Sequence, residues 1–455
     1  MLAKFKQRLH LGRNTTQKSA PVLSGIALLP SEILGGEIFP LVLDKVPDDF
    51  WHRKLLALAG VCTQWRNIVH STPFLWNQHI RINTRQFAAV GRFRRNRIVK
   101  KYFQALTVCL ARSAPLPVSI SIHWFAFSPR HKKDLARAVD MISNAAVRVQ
   151  SLRISSLDKA HTWACILRAL ERPDTLQALT EIDFAFLGGA AQQPAVPLSL
   201  MNAPHLRRVE LSARSNPLNL ISIPWPQLTH LTLAAPPLAC LAVLAKCSNL
   251  VSAVLSHLYT FRPDDTQAPT TATLMHLTSL RLTISSTLIQ AVGNLDLPAL
   301  TTLELIYDDD DMIWPQLEVF RQLPLHNIQY LTFAFDDAEV LESATLCALL
   351  RCTPSVTELT LRECVCVDNA LLNALRADVP WSKLLLPQLE TLSIDWGPVL
   401  GVDFELETLR AMLASRVGAG LKRLVYQGDY SDNGDKGFMP ALAAYYLDGP
   451  QVNVL

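Results

Sequence analysis

The densest chemistry-bearing residues in the chain are carboxylates: Asp308-Asp309-Asp310-Asp311, then Asp336-Asp337. Clustered carboxylate oxygens suit Ca²⁺ or Mg²⁺, but a dedicated loop spaces its Asp and Asn residues around a glycine turn, and this run has neither. The nine cysteines are scattered and odd in number. Cys364 and Cys366, the closest pair, have one residue between them and no histidine nearby in sequence, which is not zinc spacing. They read as reduced core thiols of an intracellular protein. The twelve histidines are dispersed. The sequence contains no phosphate loop, dinucleotide-binding glycine fingerprint, His-Glu-x-x-His helix or Gly-x-Ser-x-Gly elbow. These residues predict a binding protein, not an enzyme, with no cofactor and no metal site.

The elements that would position such loops are repeats. A triplet of the form apolar-x-x-apolar-x-apolar recurs eleven times. Its central anchors are Leu152, Ile182, Val209, Leu231, Ala253, Leu280, Leu303, Leu331, Leu359, Leu392 and Leu424, at steps of 22 to 33 residues. Self-similarity at this period marks a solenoid of leucine-rich type, in which each copy closes its core only by stacking on its neighbours. Helical stretches at 163–170, 241–247, 339–350 and 406–417 fall between the triplets. The predicted fold is therefore α/β, a solenoid with parallel strands inside and helices outside. Alternation along a strand sends the interleaved residues to the inner wall. These are Asp183, Arg208, Glu210, His230, Thr232, Arg281, Glu304, Tyr330, Thr332, Glu358, Thr360, Arg362 and Asp395. Just past the strands come Tyr307 with Asp308, Asp309, Asp310 and Asp311; Phe335 with Asp336 and Asp337; Asp395 with Trp396; and Asp429-Tyr430. Together they predict an acidic rim with aromatic anchors that receives a basic segment of a protein target. The alternative is a set of ordinary polar loops that keep the array soluble.

Ahead of the repeats, Leu34, Ile38 and Leu41 fall on one helical face, and Leu55, Leu58, Val61, Cys62, Trp65, Ile68 and Val69 make a second stripe. Pro30 stands where the first helix begins. Gly35-Gly36 adds a residue and Pro40 interrupts, which predicts a kinked or re-registered helix. Leu29, Pro30, Glu32, Ile33, Leu34, Ile38, Phe39, Leu55, Leu58, Val61, Cys62, Trp65, Arg66, Ile68, Pro73, Leu75 and Trp76 carry a resemblance to an F-box. The order of segments that follows resembles fungal F-box proteins with leucine-rich repeats. The resemblance implies a substrate-recognition subunit of an SCF-type ubiquitin ligase, docked on a Skp-type adaptor and through it on a cullin. It implies Leu29, Pro30, Ile33, Leu34, Ile38, Phe39, Leu58, Val61, Cys62 and Trp65 as the adaptor-binding or core residues. The alternative reading is a scaffold with a diverged F-box that works outside a ligase.

The chain divides on this reading into a basic disordered tail (1–24), the F-box-like helical unit (25–80), a basic linker with a first strand (81–133), the repeat array (134–430) and a C-terminal cap or tail (431–455). Net charge is only +4, yet no acid occurs between Asp49 and Asp134, an interval with fifteen Lys and Arg. A solvated helix face accounts for that run most simply. Complementarity to an acidic adaptor surface is the functional reading, and nucleic acid is a weaker one because no recognised module accompanies the charge. No apolar run is long enough to span a bilayer. The basic, acid-free N-terminus could pass for a mitochondrial transit peptide, but the F-box resemblance favours a cytoplasmic or nuclear protein.

Overall fold

The computed structural model describes residues 29–44, 51–77, 80–84, 87, 92–124, 132–156, 176–186, 198–213, 221–256, 271–307, 320–335, 342–362, 367–380, 384–396, 404–428 and 452–454. Its body is a single 14-stranded parallel sheet whose spatial order follows chain order. The strands are β1 (Ile80–Asn83), β2 (Val118–Trp124), β3 (Val149–Ser156), β4 (Glu181–Phe186), β5 (Arg208–Ala213), β6 (His230–Ala234) and β7 (Ser252–Ser256). They continue as β8 (Ser279–Thr283), β9 (Thr302–Tyr307), β10 (Tyr330–Phe335), β11 (Glu358–Arg362), β12 (Thr391–Trp396), β13 (Arg423–Gly428) and β14 (Val452–Val454).

The eleven anchors stand side by side. Leu152 pairs with Ile182, Ile182 with Val209, and the row runs unbroken through Leu231, Ala253, Leu280, Leu303, Leu331, Leu359 and Leu392 to Leu424. All eleven are buried. A one-residue slip would turn every side chain of a strand to the wrong face, so the burial of one face fixes the register. The row extends further at both ends, through Ile120 and Ile80 at one and Val452 at the other. The sheet is therefore longer than the 134–430 span. Ile80 and Ile82, assigned from sequence to the helical unit and the linker, are buried strand residues that cap the core at its first edge.

Helices lie between strands. Pro237–Leu244, Ser343–Leu350 and Leu406–Val417 fall on three of the predicted stretches, while 163–170 lies outside the described residues. Further helices occur at Ser286–Gly293 and Asn369–Ala374. The N-terminal unit has α1 (Ser31–Ile33), a π-helical turn at Leu34–Ile38, α2 (Phe39–Asp44), α3 (Trp51–Ala59), α4 (Thr63–Ser71) and α5 (Phe74–Asn77). It owns a separate core built on Leu34, Phe39, Leu43, Leu55, Leu58, Ile68, Val69 and Trp76. Among the described helices, no helix is long and apolar enough to cross a membrane.

One longer helix joins the helical unit to the solenoid. The run 81–101, read as a linker, is in its described parts strand β1 and then the start of α6 (Arg92–Arg112). Val99, Phe103, Leu106 and Leu110 of α6 enter the solenoid core, while Cys109 enters the helical unit's core. Arg112 lies over the Trp76 ring at 4.7 Å, and Asn77 donates to the Pro117 carbonyl at 3.3 Å. A second helix, α7 (Lys132–Ala145), packs beside α6. Arg148 ties the two together, donating to the carbonyls of Leu110 at 2.8 Å and Leu116 at 2.7 Å. The Leu110 carbonyl, near the end of α6, also accepts from the Ser113 hydroxyl at 2.9 Å.

Candidate binding surfaces

The helical unit resolves the glycine pair. An α-helix with one extra residue absorbs it as a π turn, and here Phe39 N–H reaches back five residues to the Leu34 carbonyl. The buried face consequently steps from Leu34 to Phe39 to Leu43, not to Ile38 and Leu41 as a continuous α-helix would require. Leu41 is turned outward and is 66% exposed. Pro40 continues within α2, just past the π turn. Gly35 is buried: a Cβ there would sit 3.0 Å from Ile68 Cγ2 and 3.2 Å from Thr72 Oγ1. Gly36 faces open space. Pro30 occupies the capping position one residue before the helix, and its carbonyl accepts from Leu34 N–H at 3.1 Å.

The second predicted stripe is broken. The helix Trp51–Ala59 ends before Val61, and the next starts at Thr63 with Cys62 as its cap, the Sγ accepting from Trp65 N–H at 3.4 Å. Val61 is left 52% exposed, and Cys62 is exposed too. Of the ten residues assigned to adaptor binding, Leu34, Phe39 and Leu58 are interior. For these three the core role applies. Ile33, Pro30, Val61 and Cys62 are accessible, and Leu29, Ile38 and Trp65 are partly so. Trp65 packs edge-on against Phe39, with ring centroids 5.0 Å apart. Val42 and Leu56 join the outward apolar set without having been singled out from sequence. Single exposed apolar residues are ordinary on any protein. Five of them, Ile33, Leu41, Val42, Leu56 and Val61, on consecutive short segments of one small unit are not.

The inner wall is polar and largely self-neutralised. Arg153 pairs with Asp183, Arg208 with Glu181 at 3.9 Å, and Glu304 lies between Arg281 at 3.7 Å and Arg362 at 3.6 Å. The first three are pairs on adjacent strands, while Arg362 reaches Glu304 across the intervening strand; half-exposed pairs of this sort stabilise weakly. Burial holds the Asp183 carboxyl above its ordinary range despite the Arg153 guanidinium. Glu210 is raised by burial first and by the Asp183 charge second. His230 is lowered by burial and by Arg208. Tyr330 projects from the wall, 46% exposed. Ser155 Oγ and His123 Nδ1 are 2.6 Å apart on adjacent strands. Ser and His in contact are half of a nucleophilic site, but the amides of a parallel ladder are spent on neighbouring strands and form no oxyanion pocket.

The proposed rim is only partly placed. Asp308 to Asp311, Asp336, Asp337 and Asp429-Tyr430 lie outside the described residues, as do Cys364 and Cys366. Phe335 and Trp396 end their strands. Asp395 sits half-buried on the wall, level with Arg362. Tyr307 is corrected: it continues the buried alternation of Leu303 and Leu305 and packs into the solenoid core. Its ring fills the core at the strand's end, so it cannot anchor a ligand at the edge. Among the described residues, no group of three His, Cys, Asp or Glu could hold a metal ion.

No protein-family model and no curated protein matches this chain. Among solved structures it is similar to a protein from Bacteroides fragilis, at 13% identity and a TM-score of 0.32, covering 71% of this chain and 77% of that one. It is similar also to the leucine-rich repeat-containing protein LegL7 from Legionella pneumophila, at 13% identity and a TM-score of 0.33, covering 70% and 87%. The strand register described above, not these likenesses, establishes the fold as a leucine-rich-repeat solenoid with a small helical unit packed at its first edge.

Proposed function

We propose that this chain is a substrate-recognition subunit of an SCF-type ubiquitin ligase. The helical unit grips a Skp-type adaptor, which carries a cullin, and the inner wall of the solenoid receives a protein target. The chain does no chemistry itself; it holds the target near a catalyst on other subunits, a proximity effect. The observation that supports this reading most is the separate core of the helical unit. That core closes with Ile33, Leu41, Val42, Leu56 and Val61 still facing out, so the unit has apolar surface to spend on another chain. The resemblance of Leu29-Pro30-x-Glu32-Ile33-Leu34 and Val61-Cys62-x-x-Trp65-Arg66 to an F-box names which chain that is. The π turn supports it too, because it absorbs the extra glycine without disrupting the core.

The test is co-expression with a Skp-type adaptor. Leu41→Glu with Val61→Glu should abolish adaptor co-purification while the circular dichroism of the chain is unchanged, since both side chains are exposed. Leu29→Ala with Pro30→Ala should weaken it. Retention of adaptor by the double Glu variant would sink the docking assignment. Adaptor without cullin in the purified complex would instead favour a scaffold that works outside a ligase.

A further inference from the structure

Between α6 and α7 lies a cleft of about 870 Å³. Phe103, Leu110, Met141 and Ala145 make its buried floor. Small side chains keep it open, Thr107 and Ala111 on α6 and Ala114 just past its end. Lys100 and Arg137 stand on its lip, with Asp140 as the one acid among the lining residues. The same helix adds Arg97 and Lys101, both exposed, and α6 as a whole contains no acid. From Lys100 to Ala111 the cleft follows α6 for roughly 16 Å at 1.5 Å per residue, about three helical turns.

We propose that this cleft is a docking site for an amphipathic, acidic helix of a protein partner, apolar stripe on the floor and carboxylates on the cationic lip. Charge complementarity selects the sign of the occupant. The apolar floor selects a protein helix over nucleic acid, whose binding would call for phosphate contacts and exposed stacking rings. Residues 1–28 contain no acid, so that stretch does not supply the occupant. The inference concerns the cleft between α6 and α7 and does not depend on the proposed ligase role.

The experiment uses the full-length chain and a fluorescein-labelled 16-residue helical peptide with Leu on one face and Glu on the other. Its controls are the same peptide with Lys in place of Glu and a 20-base-pair duplex. Fluorescence anisotropy should show saturable micromolar binding of the Glu peptide and none of the Lys peptide. Lys100→Glu should weaken binding about tenfold, and Thr107→Trp, which fills the cleft, should abolish it. Both positions are exposed, so an unchanged thermal melt verifies the fold. Absence of binding to the unmodified protein, equal binding by Thr107→Trp, or displacement of the peptide by the duplex would each overturn the proposal.

Discussion

Arg416 offers the sharpest test of how the far end of the solenoid is held. It is 1% exposed, near the end of the helix Leu406–Val417. Its described acceptors are all main-chain carbonyls: Nε donates to Leu375, Nη1 to Leu386 at 2.8 Å and Nη2 to Leu385. Leu375 ends the neighbouring helix Asn369–Ala374, and Leu386 has φ 49°, the left-handed region that a leucine adopts only at a cost of roughly 1–2 kcal/mol. One guanidinium thus binds a helix end and a strained turn at once. Burial lowers its pKa to about 10, so it stays charged at neutral pH. Arg416→Met keeps the length and removes the donors. The Leu375 and Leu385 carbonyls then lose the guanidinium, at roughly 1–3 kcal/mol each, while Leu386 keeps the Leu389 N–H at 3.2 Å. Removal of a costly buried cation offsets part of that loss, which leaves a net cost of about 2–4 kcal/mol. Arg416→Lys should recover part, because one ammonium cannot span carbonyls on two segments. Stability in a solenoid is carried by neighbours. Hydrogen exchange should therefore quicken across 367–428 and leave 80–156 as protected as before. Uniform quickening along the array, or an unchanged urea midpoint, would refute the reasoning.

Other predictions follow from single contacts. Gly36→Ala, in open space, should raise helical-unit stability by up to about 1 kcal/mol. Gly35→Ala, forced against Ile68 and Thr72, should lower it by roughly 1–3 kcal/mol; urea melts of the two variants separate them. In the folded state Glu210 holds its proton above the ordinary 4.5, so its ionisation opposes folding at neutral pH and that penalty fades as pH falls. Glu210→Gln should therefore raise the melting temperature at pH 7 and show no gain below pH 4.5. An equal gain at both values would show that contacts, not charge, are responsible. Cys62 is exposed, whereas burial pushes Cys109 to about 11 and Cys240 and Cys247 to about 12. Of these four, iodoacetamide at pH 8 should modify Cys62 alone until the protein is unfolded, and mass mapping of the labelled peptides checks it.

The solenoid was legible because its signal is redundant. Each anchor from Leu152 to Leu424 repeats one pattern, and stacking forces the copies into one row, so a weak member such as Ala253 is carried by its neighbours. The first strand was hidden because Arg81 and the basic residues after it mask a four-residue alternation, Ile80 to Asn83. The helical unit was legible as a unit but not in its facing. Periodicity assumes 3.6 residues per turn, and the π turn at Leu34–Ile38 breaks that assumption, exchanging Ile38 and Leu41 for Phe39 and Leu43 inside. The Gly35-Gly36 pair was the one visible warning. Tyr307 was misplaced because an aromatic beside four aspartates reads as surface, while strand parity sends it inward.

The helix Arg92–Arg112 gives residues to both cores. A boundary drawn through it for expression would strip the solenoid of Phe103 and Leu106 or the N-terminal unit of its seat on Cys109 and Arg112. Neither fragment would be a faithful miniature of the whole. The helical unit and the first edge of the solenoid are thereby splinted, not tethered. Whatever is bound at the front is carried at a set bearing from whatever grips the base, like a tool clamped in a jig and not one hung on a cord.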